Sequence, residues 1–99
     1  MTSEAAYRGF LDALRATPRR WVVTNGQLRM HVDGGPTCCP ISAVFGGSKV
    51  AALRTAIERG GFPYELAISI IQAADYPHLH GIRRDLLRAC GVPERLELS

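Results

Sequence analysis

The side chains best equipped for chemistry in this 99-residue chain are three cysteines, three histidines and a large set of arginines. Cys38 and Cys39 are adjacent, and Cys90 stands far from them. A nucleophilic cysteine needs a base within reach and a feature that lowers its pKa. Pro40 suits the first position of a helix, which would put Cys39 at the positive end of that helix's dipole. A structural zinc site asks instead for thiolates spaced as Cys-x2–4-Cys, so that both converge on one ion. Neighbouring side chains diverge, so Cys38-Cys39 is no such pair. Free cysteine is also among the most buried residue types, and core packing with reduced thiols is the expected role.

The run Asp75-Tyr76-Pro77-His78-Leu79-His80 sets two histidines and a carboxylate within a short span. On a helix, His78 and His80 would splay by about 200°, so they share a metal only if the segment is extended. A helix opening near Pro77 argues against that, and a polar turn between helices is the plainer reading. The glycine pairs Gly34-Gly35, Gly46-Gly47 and Gly60-Gly61 match neither GxGxxG nor GxxxxGK[ST]. They punctuate elements. With no Ser-His-Asp order and no paired carboxylates, neither catalysis nor a bound cofactor or metal is expected.

The arginines are the stronger signal. The chain has eleven against one lysine, Lys49, and a net charge of +3. Arginine offers planar, bidentate contacts that lysine does not. One group, Arg15, Arg19 and Arg20, surrounds the end of the first helical segment. A second, Arg83, Arg84 and Arg88, lies on the last, where Arg84 and Arg88 are neighbours on one face. Such a face can meet phosphates or an acidic protein surface. Asp85 beside the second group, and Asp12 beside Arg8 and Arg15, would make it an ordinary mixed-charge face. The chain carries no aromatic-interleaved basic strand and no helix-turn-helix signature for sequence-specific nucleic-acid binding.

The elements that position these groups follow from periodicity. Ser3 to Ala16 carries Tyr7, Phe10, Leu11 and Leu14 at helical spacing, with Ser3 as the expected N-cap and Thr17-Pro18 as the stop. Asn25-Gly26 between β-rich runs predicts a two-residue type I′ hairpin. That register sets Trp21 opposite Met30, Val22 opposite Arg29, Val23 opposite Leu28 and Thr24 opposite Gln27. One face is then apolar (Trp21, Val23, Leu28, Met30), and the other shows Val22, Thr24, Gln27 and Arg29, with His31 near its end. Pro40 opens a short helix ended by Gly46-Gly47. Ser48 caps another to Arg59, with Val50, Leu53, Ala56 and Ile57 inward. Pro63 to about Asp75 is apolar on a wide arc and is expected to be the most buried helix. Pro77 to Cys90 supplies the last, on Leu79, Ile82, Leu86, Ala89 and Cys90, ended by Gly91. The sum is one mainly helical α+β domain over residues 1–99, with four to five short helices packed on one β-hairpin. No run is long and apolar enough to cross a membrane. Met1-Thr2-Ser3-Glu4 lacks the basic-then-apolar start of a secretory signal, so a cytoplasmic protein is expected.

The pattern Phe10-Leu11-x-x-Leu14-Arg15, Trp21, Leu28-Arg29 and Cys39-Pro40-Ile41-Ser42-Ala43-Val44 resembles small proteins encoded by phages and prophages of GC-rich bacteria. It covers under half of the chain and carries no activity with it. What it implies is a setting in which genes of this size often encode inhibitors of host defences, anti-CRISPR proteins among them. The expected function is therefore non-enzymatic: a compact domain that binds a host protein or ribonucleoprotein complex and covers a working surface. Arg29 and His31 on the hairpin and Arg83, Arg84 and Arg88 on the last helix are the expected contacts, and the hairpin's free edge could add a strand to the partner. The alternatives are a nucleic-acid-binding accessory protein using the same arginines, or a small enzyme or metal-binding protein using Cys38, Cys39, His78 and His80.

Overall fold

A computed structural model describes residues 2–16, 21–30, 38–76 and 80–92, the side chain of His80 excepted. Its elements are α1 (Ser3–Ala16), β1 (Trp21–Thr24), β2 (Gln27–Met30), α2 (Pro40–Phe45), α3 (Lys49–Glu58), α4 (Tyr64–Asp75) and α5 (His80–Cys90). The chain is mainly helical, with one antiparallel hairpin.

Local chemistry explains most of the boundaries. α1 starts one residue earlier than Ser3 would place it. Thr2 is the cap, its Oγ1 accepting from the Ala5 N–H at 3.1 Å. Glu4 in the first turn and Arg15 in the last both suit the helix dipole. The hairpin has the register that its turn demands, Trp21 with Met30 through Thr24 with Gln27. Asn25 and Gly26 hold φ of +52° and +80°, the left-handed conformation a type I′ turn requires at both central positions. Ser48 caps α3 by accepting from the Ala51 N–H at 3.2 Å. At the end of α5, Gly91 N–H donates to Arg88 O and Val92 N–H to Leu87 O, a Schellman motif with Gly91 at φ +72°.

α4 lies at the centre and packs against β2, α2, α3 and α5, while α1 packs on α5 and α2. This position accounts for its wide apolar arc, with Ala67, Ile70, Ala73 and Ala74 buried. Three phenylalanines tie the other side together. Phe10 stacks on Phe45 at 6.2 Å between ring centroids, and Phe62 meets both edge-on at 5.9 and 5.6 Å. Gly60 closes this corner because a Cβ there would lie 2.8 Å from the Ala56 carbonyl oxygen and 3.0 Å from the Phe45 ring.

Two expectations about helix faces hold only in part. On α3 Ala56 is buried, together with Ala52, and Leu53 and Ile57 are half-buried against the core, but Val50 is 67% exposed. Val50 lies about 160° around the helix from Ala52, so burying Ala52 turns it outward. On α5 Leu86 and Ala89 are buried as their spacing predicts, but the inward face also takes in Leu87 and Arg83, the latter only 2% exposed.

Candidate functional site

The C-terminal end of α4 gathers four charged side chains, Asp75, Arg83, Arg29 and Lys49. The last carbonyls of a helix have no partner within it. Here Arg83, reaching across from α5, donates from Nη1 to the carbonyls of Ala73 at 3.0 Å and Ala74 at 2.8 Å. A cation is favoured at this negative end of the dipole, and two charge-assisted hydrogen bonds let the guanidinium be buried. Asp75, the last residue of α4, is unfavourable there by the same argument, and two further cations offset it. Its Oδ2 accepts from Lys49 Nζ at 3.1 Å. Its Oδ1 lies 2.8 Å from Arg29 Nη2, both side chains being only 15% exposed. That oxygen accepts no well-directed hydrogen bond, so its attraction to Arg29 is mainly coulombic.

This arrangement reassigns two of the expected contact residues. Arg83, placed by its spacing on an exposed face, is buried and holds α4 to α5. Arg29, placed on an open face of the hairpin, is taken up by Asp75. The other edge of β2 is also partly occupied: Met30 and Cys38 exchange backbone hydrogen bonds of 2.8 and 3.1 Å. His31 lies outside the described residues, as does His78.

Arg84 and Arg88 are different. Each follows an inward position of α5 (Arg83 and Leu87) by one residue, about 100° around the helix, and both are exposed. Asp85, the acid that could neutralise them, turns towards α1 instead. Tyr7 Oη donates to Asp85 Oδ2 at 2.7 Å. Burial, reinforced by this hydrogen bond and the negative charge of Asp85, raises the Tyr7 pKa above the usual phenol value. Arg8 and Arg15 on α1 are matched by Glu4 and Asp12 at 2.7 and 2.6 Å. Among the described residues, Arg84 and Arg88 have no ion pair.

Comparison with protein-family models, curated proteins and solved structures yields no match to this chain.

The cysteines lie in the core or at its edge. All three cysteines are free thiols. Cys39 is buried just ahead of α2, its Sγ donating to Ser42 Oγ at 3.4 Å. Cys38 is half-buried at the bridge to Met30. Cys90 is half-buried against the core, and burial pushes its thiol pKa up to about 12, well away from the thiolate range that a nucleophile uses. Among the described residues, no three His, Cys, Asp or Glu side chains converge on a point that could hold a metal. No described helix is long and apolar enough to span a membrane.

The contact between Lys49 and Asp75 spans 26 residues of sequence, which no local spacing encodes. One sequence signal does bear on them: an acid at the last position of a helix opposes the dipole and needs cations from elsewhere in the chain.

Proposed function

We propose that this protein works by binding a macromolecular partner, presenting the Arg84–Arg88 face of α5 to an acidic surface and blocking that surface sterically. The observation that carries the reading is the turning of Asp85 to Tyr7, which leaves two neighbouring guanidinium groups exposed and without a countercharge among the described residues. Arginines four apart on a rigid helix present planar donors in a fixed relation, which suits carboxylates on a folded partner. Arginine is also enriched among residues that dominate binding energy at protein interfaces. The resemblance to phage and prophage proteins makes a host defence complex the expected partner, with inhibition of an anti-CRISPR kind as the outcome.

The test compares the wild-type protein with Arg84→Glu/Arg88→Glu in capture from the bacterial host and in a phage-challenge assay. A stoichiometric partner retained by the wild type, bound at least about tenfold more weakly by the charge-reversed variant, is the expected result. Protection of phage should fall with it, while the thermal midpoint stays unchanged. Equal capture and equal protection by the two proteins would remove the reading. Tight binding to naked nucleic acid that collapses steeply with salt would replace it with a phosphate-binding one.

A further inference from the structure

Two acid–arginine pairs in this chain share one spacing and differ in outcome. Asp12 and Arg15 on α1 are at i and i+3, and they form an ion pair of 2.6 Å. Asp85 and Arg88 on α5 are the same residue types, in the same order, at the same separation. Side chains so spaced are neighbours on a helix surface, where opposite charges attract. Yet among the described residues Asp85 and Arg88 form no ion pair. Asp85 is half-buried against α1, where its Oδ2 accepts from Tyr7 Oη at 2.7 Å, and Arg88 is exposed. A charge-assisted hydrogen bond in a half-buried seam outweighs an exposed ion pair between helical neighbours.

We propose that Tyr7 is a positioning residue for the Arg84–Arg88 face: its hydroxyl holds Asp85 against α1 and so keeps Arg88 free for a partner's carboxylates. This role rests on the binding function proposed for that face and adds to it a residue of another helix. On α5, Arg88 is the one cation a turn away from Asp85, since the positions at i−4, i−3 and i+4 are Gly81, Ile82 and Ala89. Without the Tyr7 hydroxyl, Asp85 has no donor in the seam and turns to Arg88, as Asp12 turns to Arg15. The face then offers Arg84 alone, and a partner must displace Asp85 to reach Arg88. Pairing of ordinary helical strength occupies Arg88 about two-thirds of the time, which weakens apparent binding about threefold.

Tyr7→Phe, Asp85→Asn and the double variant, made in the full chain, test this with two readouts. The first needs no partner. In proton–nitrogen spectra of the arginine side chains, the Arg88 Nε–H of Tyr7→Phe should exchange with water about threefold more slowly than in wild type. Arg84 should be unaffected, and the double variant should return Arg88 to the wild-type rate. The second readout is titration with poly-L-glutamate at low ionic strength, as a probe of binding to clustered carboxylates. Tyr7→Phe should raise its dissociation constant about threefold, and should have no effect where Asp85 is already Asn. Unchanged exchange at Arg88 in Tyr7→Phe would overturn the proposal, as would an equal loss of binding in both backgrounds. Should Arg84→Glu/Arg88→Glu weaken poly-L-glutamate binding while Tyr7→Phe does not, the binding face stands and the role of Tyr7 falls. Should the charge-reversed variant bind as wild type does, the face loses its binding role, and slowed exchange at Arg88 still upholds the hold of Tyr7 on Asp85.

Discussion

Arg83 Nη1 lies 2.8 Å from the carbonyl oxygen of Ala74, so one buried side chain of α5 terminates the hydrogen-bonding of α4. The contact joins two helices adjacent in sequence and gives an otherwise costly buried charge its partners. Removing the side chain takes the Arg83 donor from the Ala73 and Ala74 carbonyls and leaves a void where a fully buried residue stood. Arg83→Ala should therefore cost about 2–4 kcal/mol, read from the urea midpoint at constant slope. Arg84→Ala, one residue away and exposed, should stay within about 0.5 kcal/mol of wild type. Equal effects at the two positions would contradict the assignment.

The Arg29–Asp75 contact is open to a double-mutant cycle. Asp75→Asn alone should destabilise by about 1–3 kcal/mol, because it leaves Arg29 largely buried without its countercharge. Arg29→Met should cost less, since Lys49 still holds Asp75. The coupling between the two changes should be about 0.5–2 kcal/mol, and a value near zero would show that the pair is incidental.

Gly60→Ala tests the corner between α3 and α4. The added methyl would lie 2.8 Å from the Ala56 carbonyl oxygen and 3.0 Å from the Phe45 ring. A rigid backbone oxygen cannot yield cheaply, so a loss of about 1–3 kcal/mol is expected. Gly9→Ala in α1, where a methyl meets nothing, should instead stabilise by up to about 1 kcal/mol. Thermal melts of both variants give the comparison.

Stability should fall on the alkaline side. Cys90 has its pKa raised from 9.0 to about 12 on folding, and that of Tyr7 is also raised. The folded chain then holds protons that the unfolded chain releases, so the contribution is complete below pH 9 and is lost between about pH 9 and 12. Cys90→Ala should flatten the lower part of this decline, and Tyr7→Phe the upper part. In native protein at pH 8, a thiol reagent should modify Cys90 far more slowly than in unfolded protein, and equal rates would contradict the raised pKa.

What the sequence determined by itself is the part governed by near neighbours. Asn25-Gly26 dictated the hairpin and its register, because only residues tolerant of positive φ can make that turn. Ser48, Pro40, Gly46 and Gly91 marked ends of α2, α3 and α5 for equally local reasons, and the apolar strip of α1 followed from spacing alone. Tertiary structure decided where the charges went. Arg83 and Arg84 are consecutive and chemically identical, yet one is buried against α4 and the other is exposed. Their difference rests on the rotation of α5, which is set by packing against α4 and α1 at once. Val50 was turned outward for the same reason: α3 buries Ala52 and Ala56, and a helix has only one angle of rotation. Asp85 met Tyr7, and Asp75 met Arg29 and Lys49, across separations that no local pattern encodes. The cationic face of α5 is thus a product of which acids the fold has already used.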